Sequence, residues 1–244
     1  MHPLKVISLE RSDARRAEFR RHNSHLGYEF VDAIDGALLH PDVISRLGLF
    51  KPGLTYKSGA YGAALSHFRL WEDSVQAGRP LTVAEDDAIF RKDFAQTHAA
   101  LLDGLPTDWD FVLWGWNLDS VLAMQMMPGL SSNMYFDYRP LLEKIEEFQT
   151  RTGNPQLFRL EKCFGLPAYS ISPGGARKLI AQCFPLDNFT LTVPLIGNVP
   201  NFGLDVATCR IYAAINSFVS FPPLAMTKND QVVSTIQNSA YPPG

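Results

Sequence analysis

The chain has 244 residues, 46% of them hydrophobic and 19% charged, and a net charge of −3. That length accommodates one large α/β domain or two small ones, and 16 Phe, 8 Tyr and 4 Trp supply material for a sizeable core. The slight acidic excess speaks against a broad nucleic-acid surface, which carries a basic surplus. No apolar run reaches the length of about 18 residues that a membrane-spanning helix needs.

In chain order, residues 4–9 read as a buried strand, with Ser12 placed to cap a helix running to about residue 25. Residues 28–33 alternate as a second strand, and Asp35-Gly36 supplies a turn. Ala64, Phe68, Trp71 and Val75 recur at helical spacing and predict a helix over residues 58–77, stopped by Gly78. Residues 80–84 form a short apolar strand that runs straight into Glu85-Asp86-Asp87. A helix near residues 93–102 and a strand over residues 110–114 follow. This alternation predicts a mainly parallel sheet flanked by helices, with ligands beyond the carboxyl ends of its strands.

Residues 118–162, with a Met-rich stretch and a helix expected at 140–149, read as an insertion covering that rim. Residues 168–172 return to strand, and Ser172-Pro173 opens a helix through about residue 183. The Pro-, Asn- and Thr-rich remainder reads as mostly irregular, apart from a helix near 205–214 and a strand near 218–221.

Cys163, Cys183 and Cys209 form neither a zinc spacing nor a complete disulfide set, which fits reduced thiols in a cytosolic compartment. The N-terminus enters the first strand with no signal-peptide core, so a cytoplasmic location is expected.

Three consecutive acids repel one another unless a cation or solvent intervenes. In an extended segment Glu85 and Asp87 point one way and Asp86 the other, so the pair could hold Mg²⁺ or Mn²⁺. A solvated turn whose acids cap the helix near Asp93 is the competing reading. Arg11 and Arg15, at a strand-to-helix turn, could meet phosphate or simply pair with neighbouring acids. Ser66-His67 lies within the long helix and is no hydrolase elbow. Trp114, Trp116 and Asn117, after a strand end, could stack on and bind a sugar, or pack the core.

The order of these segments resembles glycosyltransferase family 25, the lipopolysaccharide and collagen galactosyltransferase group. The resemblance runs through Val6-Ile7-Ser8-Leu9-Glu10-Arg11-Ser12-Asp13-Ala14-Arg15, Phe30-Val31-Asp32-Ala33-Ile34-Asp35-Gly36 and Tyr61-Gly62-Ala63-Ala64-Leu65-Ser66-His67-Phe68-Arg69-Leu70-Trp71. It continues in Val83-Ala84-Glu85-Asp86-Asp87, Gly165, Ala168-Tyr169-Ser170-Ile171-Ser172 and Gly175-Ala176-Arg177-Lys178-Leu179.

The resemblance implies a single GT-A-like domain over residues 1–244. Residues 1–117 would bind the nucleotide sugar, and residues 118–244 would face the acceptor. It implies inverting transfer of a hexose, galactose or glucose, from a UDP-sugar to a saccharide such as lipopolysaccharide, with Mn²⁺ or Mg²⁺. Glu85 and Asp87 then become metal contacts, and Ser8, Leu9, Arg11, Arg15, Ser66, His67 and Asp86 donor-site residues. The general base should be an aspartate beyond the Gly-Ala-Arg-Lys-Leu helix, Asp205 ahead of Asp187, with Asp119 a third candidate. A lipid-linked acceptor would allow peripheral association with the inner face of the cytoplasmic membrane. The chain departs from the family pattern at Ala60 and Ala63 and at Leu166-Pro167. A silent nucleotide-sugar- or carbohydrate-binding subunit is the alternative reading.

Overall fold

The computed structural model describes residues 4–228. Its first half alternates as expected: β1 (Leu4–Ser8), α1 (Asp13–His22), β2 (Glu29–Asp32), α2 (Pro41–Arg46), α3 (Ser58–Ala77), β3 (Leu81–Glu85), β4 (Ala88–Phe90), α4 (Phe94–Asp103) and β5 (Phe111–Gly115). The middle supplies β6 (Leu122–Met127), β7 (Leu130–Met134), α5 (Arg139–Leu142), α6 (Ile145–Thr150) and β8 (Gln156–Cys163). The remainder adds β9 (Ala168–Ile171), α7 (Pro173–Cys183), β10 (Thr190–Val193), β11 (Gly197–Pro200), α8 (Leu204–Cys209), β12 (Ser217–Phe221) and β13 (Ala225–Thr227).

Nine strands make one sheet in the order β2-β1-β3-β9-β5-β12-β8-β6-β7. β1, β2, β3, β5 and β12 share one direction, while β9 is inserted antiparallel between β3 and β5. The protein is thus a mixed α/β fold whose large central sheet, with most strands running in one direction, is flanked by helices. The middle segment differs from expectation. Rather than only covering the rim, it lengthens the sheet through β8 and the β6–β7 hairpin. The helix expected at 140–149 is two short ones broken around Glu143-Lys144, and that expected at 205–214 ends at Cys209 before a 3-10 turn at Tyr212–Ala214.

Strand alternation sorts side chains into two cores, one on each face. Ile7, Val83, Phe111, Leu113 and Tyr169 pack with α3 and α7, whereas Val6, Ala84, Val112, Trp114 and Ala168 pack with α1 and α4. On α3, Ala60, Ala64, His67, Trp71 and Ser74 recur every three or four residues and are all buried. Gly78, at φ +62°, ends that helix in the left-handed conformation. The α3 N-terminus also touches the Asp35-Gly36 turn backbone to backbone: a Cβ on Gly62 would lie 2.3 Å from the Ile34 carbonyl oxygen, and one on Gly36 1.7 Å from that of Ser58. That approach explains both glycines. No helix among the described residues is long and apolar enough to cross a membrane.

Candidate functional site

The carboxyl ends of β1, β3 and β5 bring Ser8, Glu85 and Gly115 to one rim of the sheet. The strand period then sends successive acids to opposite faces. Glu85 turns toward α3, where its Oε1 lies 3.3 Å from His67 Nε2, and its own amide donates to the Pro167 carbonyl at 3.0 Å. Asp86 turns toward α1. It accepts from the Ser8 hydroxyl at 2.7 Å and pairs with Arg15 at 2.5 Å. Ser8 is held in turn by Arg16, which bridges to Asp32.

Asp87 is the least compensated of the three. Arg15 is 3.7 Å away, so one guanidinium serves both Asp86 and Asp87. The Asp87 side chain is 38% exposed, yet its Oδ1 is sealed from solvent with no hydrogen-bond partner among the described residues. Burial of the carboxyl, then the negative charge of Glu85, push its pKa up to about 6 against the pull of Arg15. Asp86 is also shifted upward, by its burial, with Arg15 and Ser8 opposing.

Asp205 joins this group from α8. Its carboxylate accepts the amides of Gly165 at 3.1 Å and Val206 at 3.0 Å. Burial raises its pKa, and the charge of Glu85 adds to the rise, which places the two acids within electrostatic reach. Gly165 has φ +83°, and a Cβ there would lie 2.2 Å from Asn117 Oδ1. Asn117, Gly165 and Asp205 therefore form one packed corner, linked to Glu85 through the nearby Pro167 carbonyl.

Other expected site residues are placed differently. Trp114 and Trp116 are both 0% exposed; neither ring can meet a sugar, and both correct the acceptor reading. The Trp114 indole N–H is used on Ser170. Ser66 accepts the Ile34 amide and donates to the Gly62 carbonyl, so it ties α3 to the end of β2. Arg11 pairs with Asp35 on the surface, and the Leu9 carbonyl accepts the Ser12 amide at the start of α1. Asp187 is engaged by Lys51 and Arg210, away from the triplet's own partners. Asp119 is exposed.

Three participants were missed from sequence. Arg16 reads in the sequence only as one of the arginines clustered on the first helix, not as a partner of Ser8. Thr227, whose hydroxyl eases the charge on Asp87, follows in β13 and pairs across to Ala88. Tyr169, whose hydroxyl lies 2.8 Å from His67 Nδ1, looked like one more apolar strand residue. No local spacing signals partners 102 positions apart.

Among the described residues no group of three or more His, Cys, Asp or Glu side chains forms a ready metal cage. Mg²⁺ and Mn²⁺ do not need one, because such ions sit on one or two carboxylates together with substrate phosphates and water. An orphaned oxygen on Asp87, beside a second carboxylate, fits an ion held that way.

The model of glycosyltransferase family 25 (LPS biosynthesis protein) matches residues 1–192. The chain belongs to glycosyltransferase family 25. It is 30% identical over 206 residues to the human "Inactive glycosyltransferase 25 family member 3", covering 75% of this chain and 30% of that protein. The mouse protein of the same name is 28% identical over 206 residues, with 75% and 30% coverage. A "Glycosyltransferase 25 family member" of Aedes aegypti is 28% identical over 213 residues, covering 80% of this chain and 31% of the mosquito protein. The chain thus spans about 30% of the length of these relatives. Among solved structures, "Crystal Structure of A197 from STIV" aligns over 90% of this chain and 81% of that one, at 11% identity and a TM-score of 0.39, too distant to carry an argument.

Proposed function

We propose that this chain transfers a hexose, galactose or glucose, from a UDP-sugar to a saccharide acceptor with inversion, in a GT-A-like arrangement. The observation that carries this reading is the Asp87 carboxylate, partly sealed, short of partners and raised to about 6 beside Glu85. Such a group is poised for a divalent cation. Glu85 and Asp87 would hold Mg²⁺ or Mn²⁺, which when bound supplies Lewis-acid stabilisation of the departing diphosphate.

The chain's own residues divide the remaining work. Arg15, already across Asp86 and Asp87, supplies a guanidinium for phosphate oxygens. Ser8 and Arg16 keep Asp86 fixed so that the triplet does not collapse on Arg15. Asp205 takes the acceptor hydroxyl proton as that oxygen bonds to the anomeric carbon and the bond to the diphosphate breaks. Its raised proton affinity suits a base in this role. A lipopolysaccharide or other surface glycan is the acceptor class in keeping with the family description.

The test is a thermal-shift series with UDP-galactose and UDP-glucose, with and without Mn²⁺. Stabilisation is expected only when nucleotide sugar and ion are present together, and ligand at 100 times Kd should add about 2.7 kcal/mol. The reading fails if Asp87→Asn responds as the native protein does. A second reading, a silent binding subunit for nucleotide sugar or glycan, is favoured by relatives whose names call them inactive. It predicts the same stabilisation with no transfer and no UDP release across a panel of acceptors.

A further inference from the structure

On the face of the rim turned toward α3, Glu85 ends a chain of four side chains whose other three members, Trp71, Tyr169 and His67, the proposed chemistry leaves unused. The Trp71 indole N–H donates to the Tyr169 hydroxyl at 2.8 Å, the hydroxyl lies 2.8 Å from His67 Nδ1, and His67 Nε2 lies 3.3 Å from Glu85 Oε1. Trp71 and Tyr169 are 0% exposed and His67 2%, whereas the Glu85 side chain is partly exposed at the rim.

Donor and acceptor chemistry gives the chain a direction. An indole nitrogen can only donate, so the Tyr169 oxygen accepts from Trp71. Burial drives the phenol pKa far upward, and the charge of Glu85 drives it further, so the phenol keeps its proton. Among the described residues, that proton has one acceptor, His67 Nδ1. An imidazole accepting at Nδ1 carries its hydrogen on Nε2, and that hydrogen faces Glu85 Oε1. The opposite tautomer would leave the buried phenol proton without an acceptor and set two lone pairs against each other at Glu85.

We propose that Trp71 and Tyr169 lock His67 as its Nε2–H tautomer, making His67 the positioning residue that holds Glu85 by one oxygen and leaves the other for the rim. The bond to Glu85 is the long one of the three, and the backbone tie from Glu85 to Pro167 fixes the carboxylate from the other end. His67 touches no reacting atom. It acts through Glu85, and its effect on the reaction rests on the reading of Glu85 as an ion contact given above. Outer hydrogen bonds of this kind are worth about 10- to 100-fold in metal affinity.

Two measurements on the full chain test this. The first is ¹⁵N NMR of histidine-labelled protein without ligand, with the His67 signals assigned by their loss in His67→Gln. The native protein should show a bare Nδ1 and a protonated Nε2, and Tyr169→Phe should lose that single-tautomer pattern. The ring of Tyr169 stacks on Phe111, so the Phe variant keeps the packing. A protonated Nδ1 in the native protein overturns the proposal.

The second is Mn²⁺ affinity in the presence of UDP, compared between His67→Gln and His67→Phe. Glutamine can return a donor near Nε2, whereas phenylalanine returns only ring volume. His67→Gln should stay near native affinity, and His67→Phe should lose about 10- to 100-fold. A merely structural role reverses that order, and such a reversal, or equal affinities, overturns the proposal. Should the native protein itself bind no Mn²⁺ with UDP, the assignment of the ion site falls, while the tautomer measurement still decides the lock.

Discussion

The hydroxyl of Ser8 donates to Asp86 at 2.7 Å, joining the ends of β1 and β3 across 78 positions of sequence. Arg16 holds the same hydroxyl oxygen at 3.2 Å, so Ser8 is donor and acceptor in one buried relay. Ser8→Ala leaves a buried carboxylate one partner short and removes the acceptor of Arg16 Nε, while Arg16 keeps its bonds to the Ser8 carbonyl and Asp32. A loss of about 1–3 kcal/mol is expected in urea unfolding. An unchanged midpoint would mean that Arg15 alone stabilises Asp86.

The two glycines where α3 meets the Asp35-Gly36 turn face backbone, which cannot move aside. Gly62→Ala should therefore cost about 3 kcal/mol or more. At Gly78 nothing lies within 4 Å of an added Cβ, and only the positive φ opposes it. Gly78→Ala should cost roughly 1–2 kcal/mol. Equal losses in chemical denaturation would contradict the close approach.

Trp114 offers a direct check on where the acceptor binds. Its side chain is enclosed by Phe94 and His98 and donates to Ser170. Trp114→Phe should lower stability by about 1–3 kcal/mol through lost volume and one lost hydrogen bond. The KM for any acceptor should not move. A selective rise in acceptor KM would return this residue to the binding surface.

Asp205 carries the clearest kinetic expectation. Asp205→Asn keeps one acceptor oxygen for the two amides of Gly165 and Val206, so a loss of about 1–3 kcal/mol in stability is expected. Nucleotide binding should persist while kcat falls by about 10²- to 10⁴-fold. Transfer at the native rate in this variant would exclude Asp205 as the base.

Glu18 supplies a pH dependence far from the site. Its hydrogen bond with Arg21, aided by Lys228 and His22, holds its pKa down at about 2. A carboxylate depressed in the folded state adds stability above its ordinary value near 4.5, and that stability is lost as pH falls through about 2. Glu18 is 46% exposed, so the whole contribution is under about 1 kcal/mol and weakens with salt. The difference in Tm between native protein and Glu18→Gln should be small at neutral pH and vanish by about pH 2.

Much of the frame was legible because it is written in local periodicity. The spacing of apolar residues on α3, the Gly78 stop and the Ser172 cap all lie within a few positions of the backbone they shape; Ser172 Oγ accepts the Gly175 amide as its position implies. The acids were visible as a triplet, and the split of Glu85 from Asp86 followed from strand alternation. The fate of Asp87 did not, since Arg15 reaches both aspartates once the chain turns after Glu85.

The rest depends on which strands become neighbours. β12 looked like an isolated apolar run in an irregular tail, yet it pairs with β5 inside the sheet. Trp114 and Trp116 could be placed at a strand end but not inside or outside, because exposure depends on β13 and the 135–138 segment folding back. Gly115 marks that fold: a Cβ there would meet the Ala225 carbonyl oxygen at 2.4 Å. Tyr169 could be read as a core residue, which it is, while its hydroxyl remained invisible.

The inverted strand β9 has a consequence for how this chain can change. Because β9 descends from the rim where its neighbours ascend to it, residues 164–167 are tied at three successive points: the Phe164 carbonyl to Asn117, the Gly165 amide to Asp205, and the Pro167 carbonyl to Glu85. A single inserted residue there would shift Glu85 and Asp205 together. Changes of sequence are therefore more readily accommodated by the β6–β7 hairpin, whose tip at Met126, Met127 and Leu130 is exposed, than by the four residues that set the spacing of the two carboxylates.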